Sequence, residues 1–226
     1  GFDSKALAGV GVVFYLLLAV RQALRTNGSP GADADLSSLL DLVAIGTVAD
    51  MVKLDANNRR LVRAGLASIN QGRCQPGVKA LAQISGLALG KITETDIGFR
   101  IGPKINAAGR LEDMALGIEC LLADDIDRAL DIAESLHSIN LQRQELQQDM
   151  LDQAGQALEE AHALADASEK RARILFGPSW HPGIVGLVAS RMREITGEPA
   201  IAFARAAESG MLRGSARSVE GVHVRD

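Results

Sequence analysis

The sequence predicts an α/β protein of two lobes joined by a long helix. Of its 226 residues, 47% are hydrophobic but only 3% are aromatic, a composition that favours helices and α/β layers over a β-sandwich. From residue 124 to about residue 164, apolar residues recur at spacings of three, four or seven, which predicts one helix of roughly 60 Å at 1.5 Å per residue. The strand, helix, strand, strand pattern that follows is typical of a small α/β lobe.

The first lobe is predicted to be mainly helical. A helix over residues 5–26 ends at Asn27-Gly28, and residues 26–35 form a loop by their Gly, Pro, Asn and Asp content. Residues 36–52 are almost continuously apolar, and their periodicity fits either a helix or a buried strand. Two amphipathic helices and a capping box that starts a third follow, at 57–70, at 77–85 and at Thr93 with Asp96.

The long helix starts at Asp124 and Asp125, whose charges suit a helix N-terminus. Its narrow, alanine-rich apolar stripe predicts a connector between the lobes, and a coiled-coil dimer is the alternative. The second lobe is predicted to contain three strands and one helix, at 172–176, 199–204, 211–217 and 183–196.

Residues 6–20 form the most apolar run. At 15 residues, with Arg21 next, the run is short for a membrane span, so it predicts a buried core helix, with a membrane or signal element as the alternative. Cys74 and Cys120 have neither metal-site nor disulfide spacing, which is typical of a reducing cytoplasm. Because the sequence lacks an initiator Met and stops abruptly, we expect a chain cut at both ends.

The formal net charge of −4 is unevenly distributed. Residues 1–111 carry a net charge of +5, residues 112–169 carry −13, and residues 170–226 carry +4. One interpretation is a solvated acidic helix between two ordinary domains. The other is that two basic lobes face an anionic substrate while the acidic segment faces water.

Asp50 ends an apolar run that begins after Asp41. A carboxylate at the end of such a run is costly to bury unless it is paired or bound to a cation, which makes Asp50 a candidate metal ligand. The alternative is a helix or strand terminus at which Asp50 caps the next turn.

Glycines, a proline and basic side chains are concentrated in residues 98–111. Glycine-rich backbone beside Arg and Lys is suited to binding phosphate. Asn106 and Arg110 are four residues apart and share a face if the segment is helical. A turn between helices with basic surface residues is the alternative.

His181 precedes Pro182 and Gly183, which are predicted to open a helix whose first turn has free N–H groups. His181 is therefore placed to contact a phosphate, and a purely structural histidine is the alternative.

On the last predicted strand, Arg213, Ser215 and Arg217 point to one face because side chains alternate along a strand. A hydroxyl group flanked by two guanidinium groups makes a good oxyanion pocket. The exposed polar face of an edge strand is the alternative.

Four long motifs succeed one another along the chain: Asp-Leu-Val-Ala-Ile-Gly-Thr-Val-Ala-Asp50, Gly-Pro-Lys-Ile-Asn-Ala-Ala-Gly-Arg110-Leu, Trp-His181-Pro-Gly-Ile-Val-Gly-Leu-Val-Ala-Ser-Arg and Gly-Ser-Ala-Arg217-Ser. Their order and spacing resemble the later motifs of the RecJ nucleases in the DHH phosphoesterase superfamily. The opening Lys-Ala-Leu-Ala-Gly-Val-Gly-Val also resembles that family, so the likeness covers nearly the whole chain.

The resemblance implies the C-terminal half of a DHH domain followed by a partial DHH-associated α/β domain. We expect the C-terminal part of the catalytic domain at residues 1–123, the connecting helix at 124–165 and the truncated substrate-binding domain at 166–226.

The resemblance also implies a role for each matching residue. Asp50 is expected to be the last acidic ligand of Mn²⁺ or Mg²⁺ and to act in catalysis. Arg110 is expected to contact a DNA phosphate, supported by Asn106. Ser215 and Arg217 are expected to hold the 5′-terminal phosphate, and His181 is expected to shape the DNA face of the second lobe.

The chain departs from the family pattern in several places. Lys104 stands where we expect Arg, which keeps the charge but loses a planar fork, and Lys53 stands where Pro is frequent. The family's earlier motifs, among them Asp-His-His, supply most metal ligands and do not occur in the sequence, and neither does its oligonucleotide-binding domain. Because a hard cation needs about six ligands, we expect this chain alone to be inactive.

For the intact enzyme the resemblance implies two-metal hydrolysis of phosphodiester bonds in single-stranded DNA from the 5′ end, in repair and recombination. The expected partners are single-stranded DNA with a 5′ phosphate and a single-strand-binding protein. We expect no membrane contact and a cytoplasmic monomer. Two alternatives stay open: a DHH-family phosphodiesterase acting on oligonucleotides or cyclic dinucleotides, and a non-catalytic RecJ-like scaffold that binds DNA.

Overall fold

The computed structural model describes residues 4–164, 172–206 and 210–224. The chain divides into two compact units, Gly1–Asn140 and Leu141–Asp226. Helices make up the described elements of the first unit, whereas the second contains a β-sheet. The predicted α/β class is therefore confirmed, and most of the described elements are helices.

The first unit is a layered set of helices with short connections. Its elements are α1 (Gly9–Thr26), a 3₁₀ turn (Leu36–Leu39), α2 (Leu40–Ala49), α3 (Ala56–Asn70), α4 (Pro76–Ile84), α5 (Glu94–Asp96), a π-helical turn (Ile97–Ile101), α6 (Gly102–Leu111), α7 (Ala115–Leu122) and the beginning of α8 (Ile126–Leu164). The capping box of Thr93 and Asp96 is confirmed at the start of α5.

Helix α2 is the centre of the first unit. It packs against α1, α3 and α6, so nearly all its sides are apolar, and this explains why the periodicity of residues 36–52 did not distinguish a helix from a strand. Gly65 allows α3 to approach α2 closely. A β-carbon at Gly65 would lie 2.1 Å from the carbonyl oxygen of Leu40 and 2.5 Å from Cβ of Ala44, so the spacing of these helices requires glycine.

Helix α1 is only partly buried. Phe14 belongs to a small core with Val43 and Leu61, while Val12 and Leu16 are more than half exposed. The prediction of a buried core helix therefore holds for one face of α1 only. By length and composition alone α1 could also cross a membrane, a property that core helices and signal sequences share.

The second unit is a three-stranded sheet with a helix packed on it. Its elements after α8 are β1 (Arg173–Gly177), α9 (Val185–Thr196), β2 (Ala200–Arg205) and β3 (Leu212–Arg217). The strand order is β1-β2-β3, with β1 parallel and β3 antiparallel to β2. Helix α9 is the crossover between the parallel strands, and it packs on β2 and β3.

Trp180 anchors the turn that leads from β1 to α9. Its indole is buried and lies over Gly177, where a β-carbon would come within 2.2 Å of the ring. The indole N–H donates a hydrogen bond to Oε1 of Gln153 on α8, at 2.9 Å. The motif that contains Trp180 and His181 therefore has a structural function in packing this turn.

Candidate functional site

The first unit contains a cleft of about 770 Å³, and Asp50, Asn106 and Arg110 all line it. The resemblance singled out these three polar residues in this unit. Most of the remaining lining is apolar and comes from α1, α2, α6, α7 and the residue before α7: Val10, Leu42, Ile45, Ile105, Met114, Ile118, Leu121 and Leu122. The cleft thus presents one carboxylate, one amide and one guanidinium group beside an apolar wall.

Asp50 is presented by the C-terminal end of α2. Its backbone N–H closes the helix on the carbonyl oxygen of Gly46 at 3.1 Å, and its side chain is exposed. The carboxylate of Asp50 makes no hydrogen bond or ion pair with any residue in the described ranges. The next residue, Met51, has a positive φ of 53° and is 88% exposed. This left-handed conformation turns the chain away from α2 and is unfavourable for a side chain such as Met.

Asn106 and Arg110 are presented by α6, which follows the π-helical turn. Helix α6 starts close to the end of α2, because a β-carbon at Gly102 would lie 3.2 Å from Cβ of Ala49. Asn106 is half-buried and Arg110 is exposed, and within the described part of the chain neither side chain has a hydrogen-bond partner. The two residues are one helical turn apart, so amide and guanidinium donors are both available at the cleft.

The other basic residues of this motif are already engaged. The ammonium group of Lys104 is buried and donates to the carbonyl oxygen of Arg100 at 2.8 Å, and burial lowers the pKa of Lys104. Arg100 donates to the carbonyl oxygen of Ser85 and lies 3.8 Å from Asp96. This segment therefore does not form a glycine-rich phosphate loop, because its backbone is helical. Its basic side chain at the cleft is that of Arg110.

The buried carboxylate of the Asp41–Asp50 run is Asp41, not Asp50. Asp41 is fully buried. Its two oxygens accept from the backbone N–H of Leu42 and from that of Gln75, the residue before α4, both at 2.7 Å. Burial raises the pKa of this carboxyl despite the two hydrogen bonds. Asp41 therefore joins α2 to α4, while Asp50 has its carboxylate free for a ligand.

The described residues do not by themselves make a metal site. Among them, no group of three or more His, Cys, Asp or Glu side chains is placed to hold a metal ion. Asp50 supplies one hard oxygen donor, which is the ligand type that Mg²⁺ and Mn²⁺ prefer. Further ligands would have to come from other residues.

The second unit contains a separate cluster of polar groups between β3 and α9. Arg217 on β3 donates from Nε to Oγ of Ser190 on α9 at 2.7 Å, and from Nη1 to Oγ of Ser215 at 2.9 Å. Nη1 also donates to the carbonyl oxygen of Ala216 at 2.9 Å. We call Ser190, Ser215 and Arg217 the arginine cluster.

The remaining end of the guanidinium group faces the first turn of α9. A β-carbon at Gly186 would lie 3.1 Å from Nη2 of Arg217 and 3.2 Å from Oγ of Ser215. Nη2 has no partner in the described part of the chain. Two N–H donors, a serine hydroxyl and the N-terminal turn of a helix therefore meet at one place, which is a favourable arrangement for an anion.

Ser190 is the member of this cluster that the sequence did not reveal. It lies four residues after Gly186 in the predicted helix and therefore on the same face, but serine is common in helices and no pattern linked it to β3. Arg213 shares the strand with Arg217 and is exposed.

His181 is not joined to the arginine cluster. Its Nδ1 accepts a hydrogen bond from the backbone N–H of Gly183 at 3.1 Å, so it stabilises the turn before α9. Among the described residues, the His181 side chain makes this one hydrogen bond. A local bond of this kind supports a structural role for His181.

Comparison with known proteins gives matches over the whole chain. The DHHA1 domain model matches residues 169–226. The single-stranded-DNA-specific exonuclease RecJ of Dickeya dadantii (strain 3937) is 46% identical over 234 residues, which cover 100% of this chain and 39% of that protein. The chain thus spans about two fifths of this relative's length.

Solved structures give the same match. RecJ from Thermus thermophilus in complex with Mg²⁺ superposes with a TM-score of 0.78 at 33% identity, over 99% of this chain and 32% of that one. An exonuclease RecJ bound to manganese superposes with a TM-score of 0.78 at 35% identity, over 99% of this chain and 52% of that one. The likeness therefore extends to the fold of almost every residue.

Proposed function

Since the chain belongs to the RecJ family, we propose that it forms part of a metal-dependent exonuclease that degrades single-stranded DNA from the 5′ end. The observation that carries this proposal is the cleft that brings Asp50, Asn106 and Arg110 together. These residues come from two sequence motifs more than fifty positions apart, yet they all line one space.

In the cleft, each side chain has a role that its chemistry allows. Arg110 is exposed and has donors for a phosphate of the bound strand. Asn106, one turn earlier, donates or accepts beside it.

Asp50 would contribute one carboxylate to a Mn²⁺ or Mg²⁺ site. Such ions, when bound, activate water and stabilise negative charge on phosphate oxygens. The solved relatives bind Mg²⁺ or manganese. The other ligands would come from a longer protein, so we propose that this sequence alone does not hydrolyse DNA.

The arginine cluster would bind the 5′-terminal phosphate. A terminal phosphate carries more charge and more free oxygens than a phosphodiester, so it gains most from Nη2 of Arg217, the Ser215 hydroxyl and the α9 N-terminus. Holding the end of the strand in this way would set the 5′ to 3′ direction. His181 would act indirectly, by shaping the turn before α9.

The organisation and setting of the protein follow the same proposal. We propose a catalytic part at 1–123, a connecting helix at 124–165 and a substrate-binding part at 166–226. We further propose a cytoplasmic monomer that does not contact a membrane and that cooperates with a single-strand-binding protein.

The test is hydrolysis of labelled single-stranded oligonucleotides by the complete protein with Mn²⁺. Hydrolysis should start at the 5′ end and should stop on chelation of the metal. Asp50→Asn should abolish hydrolysis while binding persists, and Arg217→Ala should remove a preference of about tenfold or more for 5′-phosphorylated ends, the usual size for charged hydrogen bonds.

Arg63→Ala is the matched control, because Arg63 is an exposed arginine on α3 outside both sites. It should behave as the unmodified protein. Full hydrolysis by the Asp50→Asn variant would contradict the catalytic proposal. Binding without any hydrolysis by the unmodified protein would favour a DNA-binding scaffold instead.

A further inference from the structure

Ser190 occupies the junction between α9 and the guanidinium group of Arg217. Its hydroxyl group donates to the carbonyl oxygen of Gly186, one turn earlier, at 2.9 Å. The same oxygen accepts from Nε of Arg217 at 2.7 Å. Both bonds belong to elements of the second unit, so this serine ties the strand β3 to the backbone of α9.

The direction of these hydrogen bonds is fixed by the chemistry of serine. A hydroxyl group has one proton to donate and two lone pairs to accept with. Because the hydroxyl proton of Ser190 is donated to the carbonyl oxygen of Gly186, Oγ of Ser190 can only accept from Arg217. The bond from Nε is charge-assisted and therefore stronger than a neutral one.

The guanidinium plane is consequently held along one edge. A guanidinium group has five N–H donors in a rigid fork, and three of them are used: Nε on Ser190, and Nη1 on Ser215 and on Ala216. The two donors of Nη2 remain, next to Gly186. Without the Ser190 bond, Nε would lose its partner and the guanidinium group would be held through Nη1 alone, so its orientation would be less restricted.

We propose that Ser190 is a positioning residue that holds Arg217 ready for a terminal phosphate and so determines the preference for phosphorylated 5′ ends. The inference rests on the proposed function of the arginine cluster. Its physical basis is preorganisation: a guanidinium group that is already oriented loses less conformational entropy when the anion binds.

The test measures kcat and KM of the complete protein on oligonucleotides with a 5′ phosphate and with a 5′ hydroxyl. The unmodified protein should prefer the phosphate. In the Ser190→Ala variant this preference should fall by about tenfold, through a higher KM for the phosphorylated substrate. The loss should be larger with the phosphorylated substrate than with the 5′-hydroxyl substrate, and Ser190→Thr, which keeps the hydroxyl, should restore the preference.

Ser135→Ala is the matched control. Ser135 lies on α8 and donates to the carbonyl oxygen of Asp131, one turn earlier, at 3.1 Å, but no arginine bonds to it in the described residues. A loss of preference in this variant as well would overturn the inference, and so would an equal loss with both substrates or no recovery with Thr.

If the unmodified protein ignores the 5′ phosphate, the proposed function of the cluster itself fails. If Ser190→Ala retains a preference that Arg217→Ala removes, the cluster stands and the role of Ser190 is refuted.

Discussion

Two aspartates of one segment have opposite surroundings. Asp41 is fully buried with both oxygens accepting backbone N–H groups, whereas Asp50 is exposed at the cleft. The two residues are of the same type and flank the same apolar run, so the sequence predicted that burial of Asp50 would be costly. In the structure, the buried carboxyl group is that of Asp41. The difference is one of position, because Asp41 lies in the first turn of α2 and is bonded to Gln75, whereas Asp50 follows the last turn of α2 and is exposed.

Asp41→Asn should destabilise the protein by about 1–3 kcal/mol at neutral pH, because the new NH₂ group would face a backbone N–H and leave that donor unsatisfied. Asp50→Asn should leave stability unchanged. Denaturant unfolding of both variants measures this contrast, and equal losses of stability would contradict it.

The same comparison has a pH dependence. Since burial raises the pKa of Asp41 above its ordinary value, the folded state favours the protonated acid. The contribution of Asp41 is then greatest below the unfolded pKa and is lost as pH rises through the folded one. The stability difference between the unmodified protein and Asp41→Asn should therefore shrink as pH rises above about 4, the ordinary pKa of an aspartate.

At the level of residues, the sequence identified candidate site residues but not the contacts between them. Asp50, Asn106 and Arg110 were candidates by their chemistry and spacing, and the family resemblance gave each a specific role. The structure brings them into one cleft, while their roles stay proposals. Ser190 lies in one of the four motifs, but its role could not be inferred, because that role depends on an arginine 27 positions later that only the packing of α9 on β3 brings near.

At the level of elements, periodicity was an accurate guide. The long helix was predicted over 124–164 and is found at Ile126–Leu164, and the helix predicted at 183–196 is found at Val185–Thr196. Periodicity did not decide between a helix and a strand for residues 36–52. These residues lie in the centre of a helical layer, so their pattern lacks the polar face that identifies a surface helix.

The close packing of α2 and α3 can be tested by a pair of glycine substitutions. Gly65→Ala should cost about 3 kcal/mol or more, because the new methyl group would meet the rigid backbone of Leu40. Gly155→Ala is the control: it lies within α8 with no atom near its β-carbon position, so it should stabilise the helix by about 0.5–1 kcal/mol. Thermal unfolding distinguishes the two, and a mild effect at Gly65 would show that the helices can separate.

At the level of the whole molecule, charge is segregated along the chain. Residues 112–169 hold a net charge of −13, against +5 and +4 on either side. Several of these acids are exposed on α8, including Asp131, Glu134 and Glu145. An overall charge of −4 therefore says little about affinity for DNA, because salt screens charges that are more than about 8 Å from the strand.

The salt dependence of single-stranded DNA binding tests this view. Arg110→Ala should reduce the slope of log affinity against log salt by about 0.7, the value for one phosphate contact on a single strand. Neutralising Asp131, Glu134 and Glu145 together should change affinity less than about twofold at physiological salt. A large gain in affinity on neutralisation would mean that the acidic segment lies close to the DNA.

The π-helical turn at Ile97–Ile101 makes the effect of a deletion on the cleft depend on where along the chain the residue is lost. Such a turn holds one residue more than an α-helical turn, and each residue advances an α-helix by about 100°. The deletion of a single residue within this turn would restore an α-helical turn and leave α6 in nearly the same rotation. A deletion between Gly102 and Ile105 would instead rotate Asn106 and Arg110 by about 100° and carry them out of the cleft. In an alignment, a one-residue gap in the first turn of α6 would therefore be as serious as the loss of Arg110 itself, whereas a one-residue gap at the π-helical turn would not.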